Sequence, residues 1–390
     1  MSRTKPTVLF LPKWYPHEAE PFDGNFIENH AHAIKKQAQI CVLFVHSEEQ
    51  SENHYRIEET ENQGLVEVRV FFKKPTRPIS FLNKIGTALR YAKAQKIGYE
   101  KLRSKGFQFD LCHVHVLSRP SLLALSLLKK EKIPFGITEH WSGYLKERND
   151  YHGTLKKHFT KKAVSQAAFV TTVSSYLKKS MLQHGLQSDY HVIPNVVDPE
   201  IFQPSERNSN QVEVIYVGNL IQRPKRILDI LAVFAELKKE GLDFVLRLYG
   251  EGSEEKDCRR YIEENELSTT LQLKGTADRV EIGRQIGKSA FLLLFSDFEN
   301  QPCVISEAQA CGIPVVVPDL PGIKEFMREE LGLLFPTGDR EAFKAACRKM
   351  LTNYTDYKRE NIQAYALKTF GEAVIGKQFG ELYHQTLADS

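Results

Sequence analysis

Residues 291–319 read FLLLFSDFENQPCVISEAQACGIPVVVPD, and their order decides the fold class. Phe291 to Phe295 is a continuous apolar run, the form taken by a strand buried on both faces. A polar loop with Asp297 and Glu299 follows. Pro302 then stands where a helix should open, a position at which its missing N–H costs nothing. Val304 to Cys311 reads helical, Gly312 is placed to stop the helix, and Pro314 leads into a second strand at Val315 to Val317. The helix start faces the carboxyl end of the strand, where unpaired backbone N–H groups make an anion site. From Pro302 to Glu307 a helix advances ~7.5 Å at ~1.5 Å per residue. That spacing lets the helix start hold a diphosphate, Glu307 accept hydrogen bonds from a ribose, and Glu299 meet the group beyond the phosphates. Taken as two isolated residues, Glu307 reads better as a solvated helix charge and Glu299 as a charge favoured by the helix dipole.

The same alternation extends outward in both directions. Strand candidates in the first half are Val8–Leu11, Ile40–Val45, Val66–Phe72, Leu111–His115, Phe135–Glu139, Phe169–Val173 and His191–Ile193. Helical stretches such as Phe26–Lys36, Ser121–Glu131 and Leu155–Ala168 lie between them, as in a parallel, doubly wound sheet. DPEIFQPSERNSNQ (Asp198 to Gln211) is polar, has two prolines and reads as a linker. The pattern then restarts with Glu213–Val217, Phe244–Tyr249, Leu271–Lys274, Phe291–Phe295 and Val315–Val317. The expected architecture is α/β, with two Rossmann-like domains facing each other across a cleft. Open α/β sheets take ligands at the carboxyl ends of their strands. The domain limits are 1–197, a linker at 198–211, 212–371 and a terminal helix at 372–390.

Composition agrees. With 390 residues the chain exceeds what one core sustains, and 42% hydrophobic with 26% charged residues excludes disordered, collagen-like and disulfide-scaffold classes. No apolar run approaches the ~20 residues of a membrane span, and MSRTKPTVLFLPKW lacks a secretory apolar core. A cytoplasmic protein with reduced thiols is expected, since the six cysteines form no CxxC pair or metal-ligand cluster. Residues 1–200 hold 29 Lys and Arg against 20 Asp and Glu, whereas the whole chain nets only +4. The first half is therefore the basic one.

Several motifs, in order, resemble the family 4 retaining nucleotide-sugar glycosyltransferases. That family's hallmark is two glutamates separated by seven residues ahead of a Gly-Ile/Thr-Pro-Val-Val ending, as Glu299 and Glu307 are here. VIPNVVDPEIFQP (Val192 to Pro204) resembles its inter-domain signature, IYVGNLIQRPKRILDIL its strand-loop-helix, LRLYGEGSEE its G-x-G turn, and GLLFPTGDREAF its closing motif. FLPKWYPHEAEPFDGNFIENHAHAI and GITEHWSGY occupy the expected places in the first half. The resemblance implies the GT-B fold and transfer of a sugar from a nucleotide-sugar donor, UDP- or GDP-linked, to a glycan or lipid-linked acceptor. It also implies retention of anomeric configuration, no metal in the transfer step, no cofactor, and a tail that packs back on the first domain.

The resemblance assigns roles residue by residue. Glu299 would position the sugar and Glu307 would hold the ribose, with Cys303, Val304 and Ile305 at the helix start beside the diphosphate. Gly218 and Asn219 would let the nucleotide approach the backbone. Arg223 and Lys225 would neutralise the leaving diphosphate, one as a planar fork and the other as a point charge; the family often has Arg where Asn219 stands. His140 would contact the donor sugar. Gly24 would approach donor phosphate and acceptor, where family members often have two glycines. On residue grounds alone, Arg223 to Arg226 reads better as a solvated basic turn. His113 and His115 share one strand face, and hydrogen-bonded histidines fit them better than metal ligands. Asn195 reads as a turn former.

GEGSEE lacks the third glycine of a dinucleotide fingerprint, and Gly287-Lys288-Ser289 lacks the upstream glycine of a P-loop, with Ile282 in its place. Arg77 to Lys105 carries eight Lys and Arg and one Glu among Phe81, Leu82, Ile85, Leu89 and Ile97. The stretch reads either as a helix packed on the first sheet with a solvated basic face or as peripheral contact with an anionic membrane. No nucleic-acid-binding fold is recognisable in it. An epimerase or sugar phosphorylase on the same scaffold, or a non-catalytic sugar or nucleotide receptor, is the alternative to glycosyl transfer.

Overall fold

A computed structural model describes residues 5–49, 54–75, 80–207 and 211–389. Contacts divide the chain into two units, one running to Val196 and resuming at Glu372, the other spanning Val197–Gly371. The first unit contains β1 (Thr7–Pro12), α1 (Asn25–Ile34), β2 (Gln39–Glu48), β3 (Tyr55–Asn62), β4 (Leu65–Lys73) and α2 (Ser80–Ser104). It continues with β5 (Leu111–His115), α3 (Pro120–Glu131), β6 (Phe135–Glu139), α4 (Thr154–Gln166), β7 (Phe169–Thr172), α5 (Ser175–Gln183) and β8 (Tyr190–Val192). The second unit opens with β9 (Glu213–Val217), α6 (Ile227–Lys239), β10 (Val245–Tyr249), α7 (Glu255–Glu264), β11 (Leu271–Gly275) and α8 (Arg279–Lys288). It closes with β12 (Phe291–Leu293), α9 (Cys303–Ala310), β13 (Val315–Pro318), α10 (Pro321–Lys324), β14 (Gly332–Phe335), α11 (Arg340–Asn353) and α12 (Arg359–Phe370). The last helix, α13 (Glu372–Ala388), belongs to the first unit.

The first sheet has the order β3-β4-β2-β1-β5-β6-β7-β8 and the second β11-β10-β9-β12-β13-β14. Strand order reverses between β1 and β5 in the first and between β9 and β12 in the second. Such reversals open the crevice in which doubly wound sheets hold ligands. Central strands are buried throughout, Val8–Phe10 and Phe291–Phe295 with no measurable exposure, as parallel strands covered by helices on both faces must be.

Four details differ from the sequence reading. β3 was not expected: its sequence YRIEETEN is polar because it is the sheet edge, paired antiparallel with β4 alone. The hairpin turn is signalled by Gln63-Gly64, both at positive φ (49° and 87°), which suits a two-residue connection. β14 follows a motif rather than a strand signal and forms one edge of the second sheet. β12 ends at Leu293 rather than Phe295, and Pro302 is the cap of α9 (φ −71°, ψ 118°) rather than its first helical residue. Residues 77–79 of the basic stretch and 208–210 of the linker lie outside the described residues.

α13 packs on α1, burying Ile375, Phe379 and Tyr383 in the core that also holds Val8, Phe10 and Ile27. Close approach is possible because residue 376 is glycine: a Cβ there would stand 2.2 Å from the Ala33 carbonyl oxygen. Gly376→Val is therefore expected to push the two helices apart and destabilise the first unit by about 1–3 kcal/mol. A lowered urea midpoint with an unchanged second-unit transition is the expected result; an unchanged midpoint would mean that the helix is not docked this way.

Candidate functional site

In the second unit the loops after β9 and β12 emerge side by side at the strand-order reversal. The β9 loop is held from below. Gly218 donates to the Tyr249 carbonyl at 3.0 Å and Leu220 to that of Glu251 at 2.8 Å. Contact this close requires the glycines of GEG: a Cβ on Gly250 would lie 2.0 Å from the Gly218 oxygen, and one on Gly252 would lie 2.2 Å from that of Leu220. The turn that resembles a dinucleotide fingerprint is thus a backbone support for the neighbouring loop. The Tyr216 hydroxyl donates to the Asn219 carbonyl at 2.8 Å, and the Asp297 N–H donates to Pro224 at 2.8 Å, which ties the two loops together.

The three basic residues of QRPKR separate into different environments. Lys225 meets Glu299, Nζ to Oε1 at 2.5 Å, with side chains only 19% and 14% exposed. Arg226 is structural: it donates to Asp229 and to the Gly338 carbonyl, both at 3.1 Å, and covers the Phe295 ring at 4.5 Å. Arg223 extends into solvent, 90% exposed and 4.0 Å from Asp297. The fold therefore brings Lys225 and Glu299 together and leaves Arg223 apart from them.

Beyond Glu299 the cap residue of α9, Pro302, has no side chain able to accept from the helix N–H groups. Its first turn, Cys303, Val304 and Ile305, presents backbone N–H groups with the positive end of the helix dipole. Burial raises the Cys303 thiol to about 12, so it stays protonated. It also raises the Glu307 carboxyl to about 7, against the pull of Arg279. Arg279 escaped the sequence reading. Its Nε and Nη2 are buried without hydrogen-bond partners among the described residues. A cation in the first turn of α8, where the dipole disfavours it, was the available signal.

In the first unit, Gly24 caps α1 at φ 68°, and a Cβ there would lie 2.3 Å from the Trp14 carbonyl carbon, so no other residue fits without strain. His140 follows β6. Its loop is ordered by Glu139, whose carboxylate accepts N–H bonds from Leu117 (2.9 Å), His140 (2.8 Å) and Trp141 (2.8 Å). Burial raises the Glu139 carboxyl to about 7 in spite of these donors. His140 Nε2 shares a proton with His115 Nδ1 at 3.1 Å, and the Asn195 side chain hydrogen-bonds to the same imidazole. Both histidines are held neutral by burial. His113 has both nitrogens engaged, with Tyr383 at 2.6 Å and Thr138 at 2.7 Å. His30, on α1, was not singled out from the sequence. One nitrogen of each of His30, His115 and His140 lies within 4.8 Å of the others, and burial drives His30 down to about 3. Asn195 thus supports His140 as well as shaping a turn.

Comparison with known proteins matches each unit to a family model: Glycosyltransferase Family 4 over residues 24–201 and Glycosyl transferases group 1 over 197–369. An uncharacterized glycosyltransferase of Methanocaldococcus jannaschii is 27% identical over 328 residues, covering 84% of this chain and 83% of its own. Sucrose-phosphate synthase from Thermosynechococcus elongatus superposes with a TM-score of 0.75 at 17% identity, over 99% of this chain and 100% of that one. A protein of Anabaena solved in complex with UDP superposes with a TM-score of 0.71 at 16% identity, over 97% and 100%.

The Glu299 loop leans on α10, where a Cβ on Gly322 would stand 1.9 Å from the Asn300 carbonyl oxygen. Gly322→Ala should therefore shift Glu299 and its contact with Lys225 without touching either. Turnover is expected to fall at least tenfold while the urea midpoint drops by no more than an ordinary overpacking substitution allows, about 1–3 kcal/mol. Unchanged turnover would show that the loop position is immaterial.

Proposed function

The chain belongs to the family 4 glycosyltransferases and has the GT-B fold, and from that membership we propose that it moves a sugar from a UDP- or GDP-linked donor to a glycan or lipid-linked acceptor with retention of configuration. One observation carries the donor assignment. At the strand-order reversal of the second unit, Lys225 and Glu299 meet beside the start of α9, whose cap residue is Pro302. This combination can stabilise a leaving diphosphate through fixed charge and backbone N–H groups. Lys225 supplies the nearer cation and Arg223 the solvent-side one. At Gly218 the missing side chain lets the nucleotide approach the strand end beside the exposed Asn219, and Glu307 accepts the ribose hydroxyls. Glu299 positions the sugar, and Lys225 holds its carboxylate in place. The resemblance assigns His140 of the first unit to the donor sugar and the loop fixed by Gly24 to donor phosphate and acceptor. The direct test is a donor library with mass-spectrometric detection of the glycosylated product, run with and without EDTA. Transfer insensitive to EDTA is expected; no binding of any nucleotide or nucleotide sugar would overturn the proposal.

Glu307 makes the donor step pH-dependent. Its carboxyl titrates near 7 in the free protein, and only the ionised form accepts two ribose hydroxyls. Donor binding should therefore strengthen as pH rises through 7. The gain between pH 6 and pH 8 approaches roughly tenfold, the change in ionised fraction for one group. In Glu307→Gln the nucleoside diphosphate should bind more weakly at pH 8 and lose this component of the profile. Glu299→Ala should instead cut turnover and spare binding of the bare diphosphate. Titration calorimetry across this range separates the two.

A peripheral membrane contact, on the cytoplasmic face, is the second part of the proposal. Leu82, Ile85 and Leu89 of α2 are 37%, 43% and 67% exposed, whereas Tyr91, Ala94 and Leu102 of the same helix are buried. The amino-terminal turns of α2 thus present apolar residues beside Lys84 and Lys93, the pattern of an interfacial helix. No helix among the described residues is long and apolar enough to cross a membrane. Flotation with anionic liposomes should recover the protein, with the signal falling towards ~0.5 M salt as screening shortens. Leu82→Ser combined with Leu89→Ser should abolish recovery, and equal or absent binding to neutral and anionic vesicles would remove the contact.

A further inference from the structure

A pocket of about 470 Å³ opens in the first unit near the carboxyl end of β2, and nothing in the donor chemistry uses it. His17, from the loop after β1, and His46, on β2, lie with ring centroids 4.4 Å apart. Phe71 of β4 closes the wall, its ring 6.0 Å from His17 and 6.4 Å from His46. Arg56 covers that ring at 4.1 Å and is itself ion-paired with Glu48 and Glu58. Glu18 and Glu49 complete the rim, and Glu49 also reaches Lys74 at 3.2 Å.

Two features indicate a ligand. The His17 side chain is only 3% exposed, and its Nε2 has no hydrogen-bond partner among the described residues; the Glu20 carboxylate stands off at 3.7 Å. That atom is closed to solvent, and the half-buried His46 ring is the imidazole that the pocket presents to a ligand. The second feature is charge. Three carboxylates, Glu18, Glu48 and Glu49, line the pocket; Arg56 pairs with Glu48 and Lys74 with Glu49, and no cation pairs with Glu18 among the described residues, so the rim keeps an excess of negative charge. Phosphate, sulfate or uronate would be repelled. Burial lowers both imidazoles from their ordinary range, so each offers one donor and one acceptor near neutral pH. Imidazoles and carboxylates around an aromatic wall suit an uncharged, hydroxyl-rich molecule.

Resting on the glycosyl-transfer reading, we propose that this pocket is an acceptor subsite for a neutral sugar unit of a longer glycan. β1 and β5 lie between β2 and β6, the strand that precedes His140. At ~4.8 Å per strand the pocket is roughly 14 Å from His140, further than one sugar ring spans. It therefore grips a unit beyond the one that reacts, and it makes the enzyme prefer oligosaccharides over single sugars.

The test uses the full chain on an array of neutral oligosaccharides and of matched oligosaccharides bearing uronate or sulfate, with calorimetric binding of UDP and GDP measured in parallel. Wild type should bind neutral glycans and discriminate against the anionic ones. His46→Ala should weaken neutral-glycan binding by about tenfold, the loss of one or two hydrogen bonds, with nucleotide affinity unchanged. The doubly substituted Glu18→Lys, Glu49→Lys protein changes only exposed rim positions and should gain anionic glycans. Preference of wild type for anionic glycans, binding of neutral glycans undiminished in His46→Ala, or no glycan bound while nucleotide binding is intact would each overturn the subsite. Failure to bind either nucleotide while the neutral-glycan response follows the pocket variants would count against the donor reading and support the pocket.

Discussion

Apart from the antiparallel pairing of β3 with β4, all strand pairs are parallel, so the carboxyl ends of all strands but β3 emerge at one end of their sheet, and the chemically active loops emerge with them. Parallel strands need crossover helices, and those helices cover both faces of the sheet. That is why Phe291–Phe295 can be wholly apolar and why the polar residues collect where the strand stops. The strand-order reversal then selects two loops out of many. In the second unit these are the loops after β9 and β12, and the contact between Lys225 and Glu299 at 2.5 Å joins them.

That contact shows how the second unit manages charge without burying it unpaired. Three cations lie within four residues, yet each has a different fate: Arg226 fastens the loop to Asp229 and Gly338, Lys225 faces Glu299, and Arg223 stays in solvent. Glu307, by contrast, forms no ion pair among the described residues, and its carboxyl rises to about 7 because burial outweighs the attraction of Arg279. A carboxyl held near neutrality in the free protein is one that a hydrogen-bond donor can readily recruit. The glycines at 250, 252 and 322 act on the same loops through the backbone, by letting a neighbour's carbonyl occupy the space of a Cβ.

Around His140 the first unit uses hydrogen bonds rather than ion pairs. Glu139 gathers three backbone N–H groups and so sets the loop of His140, and His115 with Asn195 sets its ring. Neutral imidazoles suit this interior, where a charged one would be costly to desolvate. Outside that core the same unit turns an acidic, imidazole-lined pocket at β2 and an exposed apolar and basic turn at the start of α2 to solvent. A unit whose total charge is basic can therefore still present a locally acidic surface.

The periodic skeleton and the local stereochemistry were already legible in the order of residues. Continuous apolar runs marked the parallel strands, Pro302 and Gly312 bracketed α9 to within a residue, and the spacing of Glu299 and Glu307 placed both on one loop-and-helix segment. These are short-range properties, governed by backbone geometry and by which side chains must leave water. β3 and β14 were not legible: β3 is a polar edge strand with no buried run to mark it, and β14 is a four-residue edge strand with only its two ends buried. Nor could the sequence rank Arg223, Lys225 and Arg226, find Arg279 and His30, or join His17 to His46 and Phe71. Adjacent cations look alike until the partner carboxylates, supplied by residues some seventy positions away, are brought beside them. The identity of the paired cation, the protonation state of Glu307 and the reach of each loop depend on burial and on long-range contacts, which exist only once the chain has folded.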